Sequence, residues 1–303
     1  MNKRTQPAFY RQKILLALLH AFGGKLSKLD LQKLLFLFVE EVMPKKKAYE
    51  FIPYHYGCYS FQANADLKTM HNYSFVDLNN TDNFIEEKEN GFNPIQLLKE
   101  KDQNTLLTFF EKYKNLKGDE LIAYVYKNYP YYTLNSKIAY KFLDKKYTKQ
   151  PKLFAASENL FTIGYEGITF ENYINKLIEN DINILCDVRK NPFSMKFGFS
   201  KNILKHAVEQ VGIKYIHLPE LGIESENRQE LNNLDDYKKL FLEYESTTLK
   251  SEGAQQALEY IGEIANEEKI ALTCFEKDIE YCHRGVIAKS LKIKYGISYN
   301  NIS

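Results

Sequence analysis

Cysteine is scarce in this chain, and so are long apolar runs and any surplus of charge. Four cysteines, Cys58, Cys186, Cys274 and Cys282, are scattered through 303 residues. That scatter argues against a disulfide framework and for reduced thiols, hence a cytoplasmic setting. No stretch approaches the ~20 apolar residues of a membrane-spanning helix, so no membrane partner is expected. The basic N-terminus runs into an amphipathic helix carrying His20 and has no cleavage pattern, so no signal peptide is expected. A net charge of +2 advertises no polyanion partner for the protein as a whole. The halves differ, however. Residues 1–150 carry 23 basic and 16 acidic groups; the remainder carries 18 and 23. A basic first half suits contact with nucleic acid, although a lysine-rich solvated surface accounts for the same numbers.

Apolar periodicity predicts helices over Tyr10–Phe22 and Leu29–Val42, the first ended by Gly23-Gly24 and the second introduced by Ser27 and Asp30. An aromatic loop around Gly57 follows, then a third helix near Gln62–His71. The segments Ser74–Leu78 and Phe84–Glu87, joined by Asn79-Asn-Thr-Asp82, read as a hairpin. Three helices and a hairpin make the order of a winged helix over residues 1–92. Its third helix offers no arginine to a DNA groove, only Gln62, Asn64, Lys68 and His71. Arg4, Arg11, Lys45, Lys46, Lys47 and Lys68 are the candidate phosphate contacts. The alternative is a protein-docking or homodimerising winged helix. Residues 93–150 read as a helical extension and linker, with helices near Ile95–Lys101, Thr105–Tyr113, Asp119–Lys127 and Ser136–Leu143. A tyrosine cluster surrounds Pro130, and a polar linker covers Lys145 to Glu158.

From Leu160 the rhythm becomes strand–helix alternation. Strands are predicted at 160–163, 182–186, 214–217, 270–274 and 297–299. The implied fold class of 151–303 is α/β: a mostly parallel, Rossmann-like sheet with helices on both faces. Polar motifs fall where the strands end. Gly164 and Tyr165 follow the first; Asp187, Arg189 and Ser194 follow the second; His217 and Glu220 close the third. Cys274 and Glu276 end the fourth, and Cys282-His283-Arg284 opens the next helix. In a parallel sheet those ends share one edge, where ligands bind.

Asp187 and Glu276 are two carboxylates, enough for acid–base cleavage of a glycosidic bond. Equally, Asp187 would pair with Arg284 and Glu276 with Arg189 as plain ion pairs. The two arginines and the helix N-terminus at Cys282 suit an anionic ligand, DNA or a nucleotide. Cys282, beside His283, is expected to have a lowered pKa and to be a candidate nucleophile. Cys274, Glu276, Cys282 and His283 are also metal-ligand types. Their spacing is not a standard zinc pattern, so no metal and no other cofactor is expected.

Two resemblances add to this reading. Thr162-Ile-Gly-Tyr-Glu-Gly167, Asp187-Val-Arg-Lys-Asn-Pro192, Ser194, Gly198-Phe-Ser200, Tyr215-x-His-Leu-Pro-Glu-Leu-Gly222, Cys274-x-Glu276 and Cys282-His-Arg284 resemble domain-of-unknown-function family 488 over residues 160–302. The resemblance implies the α/β domain and its motif residues; it implies no reaction. It departs at Met195, where the family pattern carries a basic residue. Leu31-Gln-Lys-Leu-Leu35 and Tyr56-Gly-Cys-Tyr-Ser60 resemble Panacea-type antitoxin and related phage-defence accessory domains. The expectation is an enzyme that processes nucleic acid or nucleotides, with N-glycosidic hydrolysis as the reaction, in defence or repair. The alternatives are a non-catalytic nucleotide sensor and thiol chemistry at Cys282.

Overall fold

Apolar residues on both sides of a helix need cover on both sides, and that requirement shapes the N-terminal half. In the computed structural model, which describes residues 4–45, 47–79, 83–89, 91–143, 159–224, 231 and 233–302, the chain divides into two compact units, Met1–Gln150 and Pro151–Ser303. The first unit opens with α1 (Tyr10–Ala21), β1 (Lys25–Ser27) and α2 (Lys28–Val42). Gly23 and Gly24 take φ of +92° and +74°, so the turn after α1 uses the freedom that glycine alone has. Ser27 caps α2 by accepting from the Asp30 amide. A small hairpin, β2 (Ile52–Tyr54) and β3 (Gly57–Tyr59), precedes α3 (Phe61–Asn72). The predicted second hairpin is present as β4 (Val76–Asn79) and β5 (Phe84–Glu87), and β1 joins it in an antiparallel sheet of order β1-β5-β4. Asn80 to Asp82 of its turn lie outside the described residues, as do Lys46 and the whole predicted linker.

The predicted separation of residues 93–150 from the domain before them does not hold. In α2, Leu31 through Val39 are buried without a break, so one face cannot satisfy the helix. The second cover comes from α4 (Glu100–Tyr113) and α5 (Gly118–Asn128). Leu106, Phe109, Leu121, Val125 and Tyr126 share one buried cluster with Leu34, Phe36 and Phe38. Tyr129 and Tyr132 meet the Phe36 ring edge-on, so the tyrosines around Pro130 are packing groups. The helices expected at Ile95–Lys101 and Ser136–Leu143 are 3-10 turns at Pro94–Leu97 and Ala139–Lys141. Pro94 and the short apolar spacing favour a single turn in place of a helix.

The second unit is a five-stranded, fully parallel sheet of β6 (Leu160–Gly164), β7 (Ile184–Asp187), β8 (Lys214–His217), β9 (Ile270–Cys274) and β10 (Tyr299–Ile302). Their order is β10-β6-β9-β7-β8. The helices are α6 (Phe170–Glu179), α7 (Lys201–Gln210), α8 (Leu234–Ser246), α9 (Glu252–Ile264) and α10 (His283–Tyr295). The chain passes from β6 through β7 to β8, then doubles back to β9 and β10. Right-handed crossovers in opposite directions put helices on opposite faces. Accordingly Leu160, Ile184, Cys186, Ile270 and Leu272 pack with Leu258 and Ile261 of α9 and with Ile287 and Leu291 of α10. On the other face, Tyr173 of α6 donates to Thr273 Oγ1 at 2.7 Å. The central strands are buried on both sides, which is why they read as continuous apolar runs.

Candidate functional site

Strand register sets the site. Gly164 pairs with Cys274, and Asp187 is level with both Thr273 and His217. Four strands therefore end at one height, and the segments that follow them meet along one rim.

On the α6 side of that rim sits a closed network. Asp187 is fully buried and takes Arg189 in a fork: Nε to Oδ1 at 2.8 Å and Nη2 to Oδ2 at 2.5 Å. The Arg189 amide also donates to Oδ1, and the Tyr215 hydroxyl donates to Oδ2 at 2.6 Å. Arg189 Nη1 donates to the Tyr165 hydroxyl and to the Phe199 carbonyl. The Tyr165 ring stacks on Phe199, with centroids 4.2 Å apart. Burial alone would lower the Arg189 pKa, but Asp187 and Tyr165 outweigh it and push it up. Burial, and then Asp187, push the Tyr215 hydroxyl up, so it stays a donor. His217 hydrogen-bonds the Arg189 carbonyl through Nε2 and Lys201 through Nδ1.

On the α10 side lies a second cluster. Cys274 Sγ is 3.3 Å from Glu276 Oε2 and 3.7 Å from His283 Nδ1. The ligand atoms of Cys274, Cys282 and His283 all lie within 4.8 Å of one another. His283 Nε2 contacts the Val188 carbonyl at 2.9 Å. A carbonyl only accepts, so Nε2 carries a proton and donates, while Nδ1 faces the sulfur. Arg284 is fully buried; Nη1 and Nη2 donate to the Glu276 and Lys277 carbonyls, and Nε has no partner among the described residues. Gly164 makes this crossing possible. A Cβ there would stand 1.9 Å from the Glu276 carbonyl oxygen and 3.1 Å from Arg284 Nη2.

The two clusters adjoin through Val188, which lies between Asp187 and Arg189, and through Tyr165, whose amide reaches the Cys274 and Phe275 carbonyls. Asp187, Arg189, Glu276 and Arg284 thus gather on one rim, but the pairing differs from expectation. Asp187 pairs with Arg189, two residues along the same strand exit, while Arg284 binds carbonyls of the next loop. The expected lowering of Cys282 is reversed. Burial, with Cys274 and Glu276 beside it, pushes the Cys282 thiol well up, and the helix N-terminus does not offset that. That setting does not favour a free thiolate nucleophile at Cys282.

Other predicted residues have plainer places. Ser194 closes a turn with Ser200: its amide donates to Ser200 Oγ, which donates to the Ser194 carbonyl. Glu220 is exposed after β8, its side chain beside Gly253 of α9. In the first unit, Arg11 is not a free phosphate contact, because it pairs at 2.6 Å with Asp66, which also accepts from Gln12 and Tyr49. Lys47 pairs with Glu40. Arg4 lies over the Tyr73 ring, and Lys45 and Lys68 are exposed. Sequence reasoning passed over Tyr215 and Lys196 as site residues. Tyr215 falls on the face of Asp187 by strand alternation, which was the available signal. Lys196 Nζ reaches the Tyr165 carbonyl at 2.5 Å from beside the noted Met195.

No curated protein and no solved structure matches this chain. A family match is present within the second unit and does not extend to the first, so the Panacea-type resemblance gains no support. Residues 169–291, which hold the rim from Asp187 to Arg284, match the family described as Domain of unknown function DUF488, and the second unit carries a domain of that family.

Proposed function

We propose that the second unit is a hydrolase acting on a nucleotide or nucleic acid, with cleavage of an N-glycosidic bond at Glu276. The observation that carries this reading is the setting of Glu276. It is a half-buried carboxylate beside Cys274, on a rim that also turns an apolar and cationic loop outward. Phe193 is 76 % exposed and Met195 91 %, with Lys190 and Lys196 on the same loop and Lys201 at the start of α7. Aromatic and apolar groups stack on bases while lysines neutralise phosphate. Tyr165 ties this loop to the strand end before Glu276, through Lys196 on one side and the Phe275 ring on the other. Glu276 would move the proton at the leaving nitrogen. Asp187 is closed off by Arg189 and Tyr215, so the reading rests on one carboxylate where the sequence offered two. Exposed Arg4, Lys45 and Lys68 would let the first unit hold the DNA backbone.

The test is incubation of the purified protein with DNA, RNA and nucleotide pools, followed by mass spectrometry of the products. A released base that disappears with Glu276→Gln supports the reading. No mass change in any pool, from protein shown to be folded, overturns it. The burial of Asp187 favours one second reading, a non-catalytic nucleotide sensor; it predicts ligand binding that Glu276→Gln leaves intact.

A further inference from the structure

Four residues of metal-binding types, two cysteines, a histidine and a glutamate, meet at the end of β9, and the Cys274–His283 separation is that of a coordination shell. Zinc holds sulfur at ~2.3 Å and imidazole nitrogen at ~2.0–2.1 Å in a tetrahedron, which places a sulfur and a nitrogen donor about 3.6 Å apart. Cys274 Sγ and His283 Nδ1 are 3.7 Å apart, and both lie within 4.8 Å of the Cys282 donor. We propose that Cys274, Cys282 and His283 bind a divalent, thiolate-preferring cation of the zinc class, with Glu276 facing the fourth position and hydrogen-bonding a metal-bound water.

Three further features fit a metal. The first is the histidine. A ligating imidazole ordinarily donates its other N–H to a carbonyl or carboxylate, which fixes ring and tautomer. His283 does so, through Nε2 to Val188, and Nδ1 is left aimed at the sulfur. The second is charge. Arg284 is a fully buried guanidinium that donates to two backbone carbonyls and whose Nε has no partner among the described residues. A buried cation without a counter-charge is costly. Two thiolates around a divalent ion are close to neutral, so the ion adds no further net positive charge beside Arg284. The third is the thiols. Both are buried, and Cys274 donates to Glu276. Metal binding would release those protons and free the carboxylate to accept from water. Thiolate pairs with imidazole suit zinc over magnesium or calcium, which take oxygen donors. The spacing Cys274-x7-Cys282-His283 hides the site in sequence, because the ligands come from a strand end and a helix start brought together by the loop that Arg284 pins.

This inference stands apart from the reaction proposed above, because metal binding is read without turnover. The probe is zinc, and cobalt(II) as its coloured substitute, with the full chain. The expected result is one metal per chain after growth with zinc and removal of loosely held ions. Cobalt exchange should give sulfur-to-metal charge-transfer absorption and the visible bands of tetrahedral cobalt. Cys274→Ser, Cys282→Ser and His283→Gln should each weaken zinc affinity by more than the roughly 10–100-fold that loss of an outer-shell partner costs. Glu276→Gln should keep the metal and its charge-transfer band. If a cysteine variant fails to fold, the metal content and cobalt spectrum of the unaltered protein decide the matter. Absence of bound metal and of charge-transfer absorption in folded, reduced protein overturns the proposal. A Cys274–Cys282 disulfide that forms in air and is unaffected by zinc overturns it too, in favour of a redox pair. Loss of metal from Glu276→Gln overturns the open fourth position.

Discussion

Asp187→Asn separates a structural carboxylate from a catalytic one. In the folded protein Asp187 is fully buried and accepts four hydrogen bonds: three from Arg189 (amide, Nε and Nη2) and one from the Tyr215 hydroxyl. Asparagine keeps the shape but removes the charge and turns an NH2 toward the N–H groups of Arg189, which only donate. Arg189 is then a buried cation facing a donor. Breaking one side of a buried pair costs about 3–5 kcal/mol, where losing an exposed pair costs under about 1. For a unit of this size that is a fall in Tm of roughly 6–20 °C. The protein has no tryptophan, so far-ultraviolet circular dichroism in a urea series is the suitable probe. Arg189→Gln alone should cost a comparable amount, and the double variant less than the sum, because neither buried group is then left charged and alone. A loss below about 1 kcal/mol for Asp187→Asn, with additive double-variant energies, would refute the reasoning. It would return Asp187 to the list of reacting groups.

Gly164→Ala should unseat the loop after β9: its methyl would overlap the Glu276 carbonyl oxygen at 1.9 Å, and relief by backbone movement costs about 1–3 kcal/mol or more, read in the same urea series. A neutral result would mean that loop yields freely. Alkaline titration should find the tyrosines of the first unit late to ionise. Tyr10, Tyr126 and Tyr129 are each pushed up to about 12, chiefly by burial, from an ordinary 10.0. Their folded pKa values exceed the unfolded ones, so the stability they contribute is whole below pH 10.0 and drains away as pH climbs toward 12. Phenolate absorbance rising at the ordinary pH, with the fold intact, would contradict that. The four thiols should react slowly with an aromatic disulfide reagent near neutral pH and together once urea unfolds the chain, since all four are buried. A single fast thiol in the native protein would revive Cys282 as a nucleophile.

Much of the second unit was legible because its signals are local. β8 and β9 run at their predicted residues, and a helix opens at Cys282-His283-Arg284 as read. Strand polarity could also be read, because only parallel strands buried on both faces need such continuous apolar runs. The first unit misled where packing decides. Nothing near residues 95–143 announces that α4 and α5 finish the core of α2, since the apolar positions on each side look self-sufficient until the helices are set together. Arg11 was misread for a similar reason. Its partner, Asp66, lies 55 positions away on another helix, so a cation that looked available in sequence is already engaged.

The site shows the same division between what spacing carries and what only folding brings about. Sequence placed the reactive residues at one edge, yet it could not say which carboxylate each arginine would take. The answer follows from strand geometry. Arg189 is two residues past Asp187, so the exit of β7 lays its side chain back along the same face and onto Asp187, and the network closes on itself. Arg284 enters from a helix start on the opposite face and meets only the carbonyls of the turn below. One half of the rim is thereby neutralised and rigid. The other half holds a buried cation, two thiols, an imidazole and a half-buried carboxylate, and a divalent ion that displaced both thiol protons would leave its net charge unchanged. That difference, between a closed network and a cluster with donor atoms to spare for a cation, is why both proposals fall on the Cys274 side of the rim.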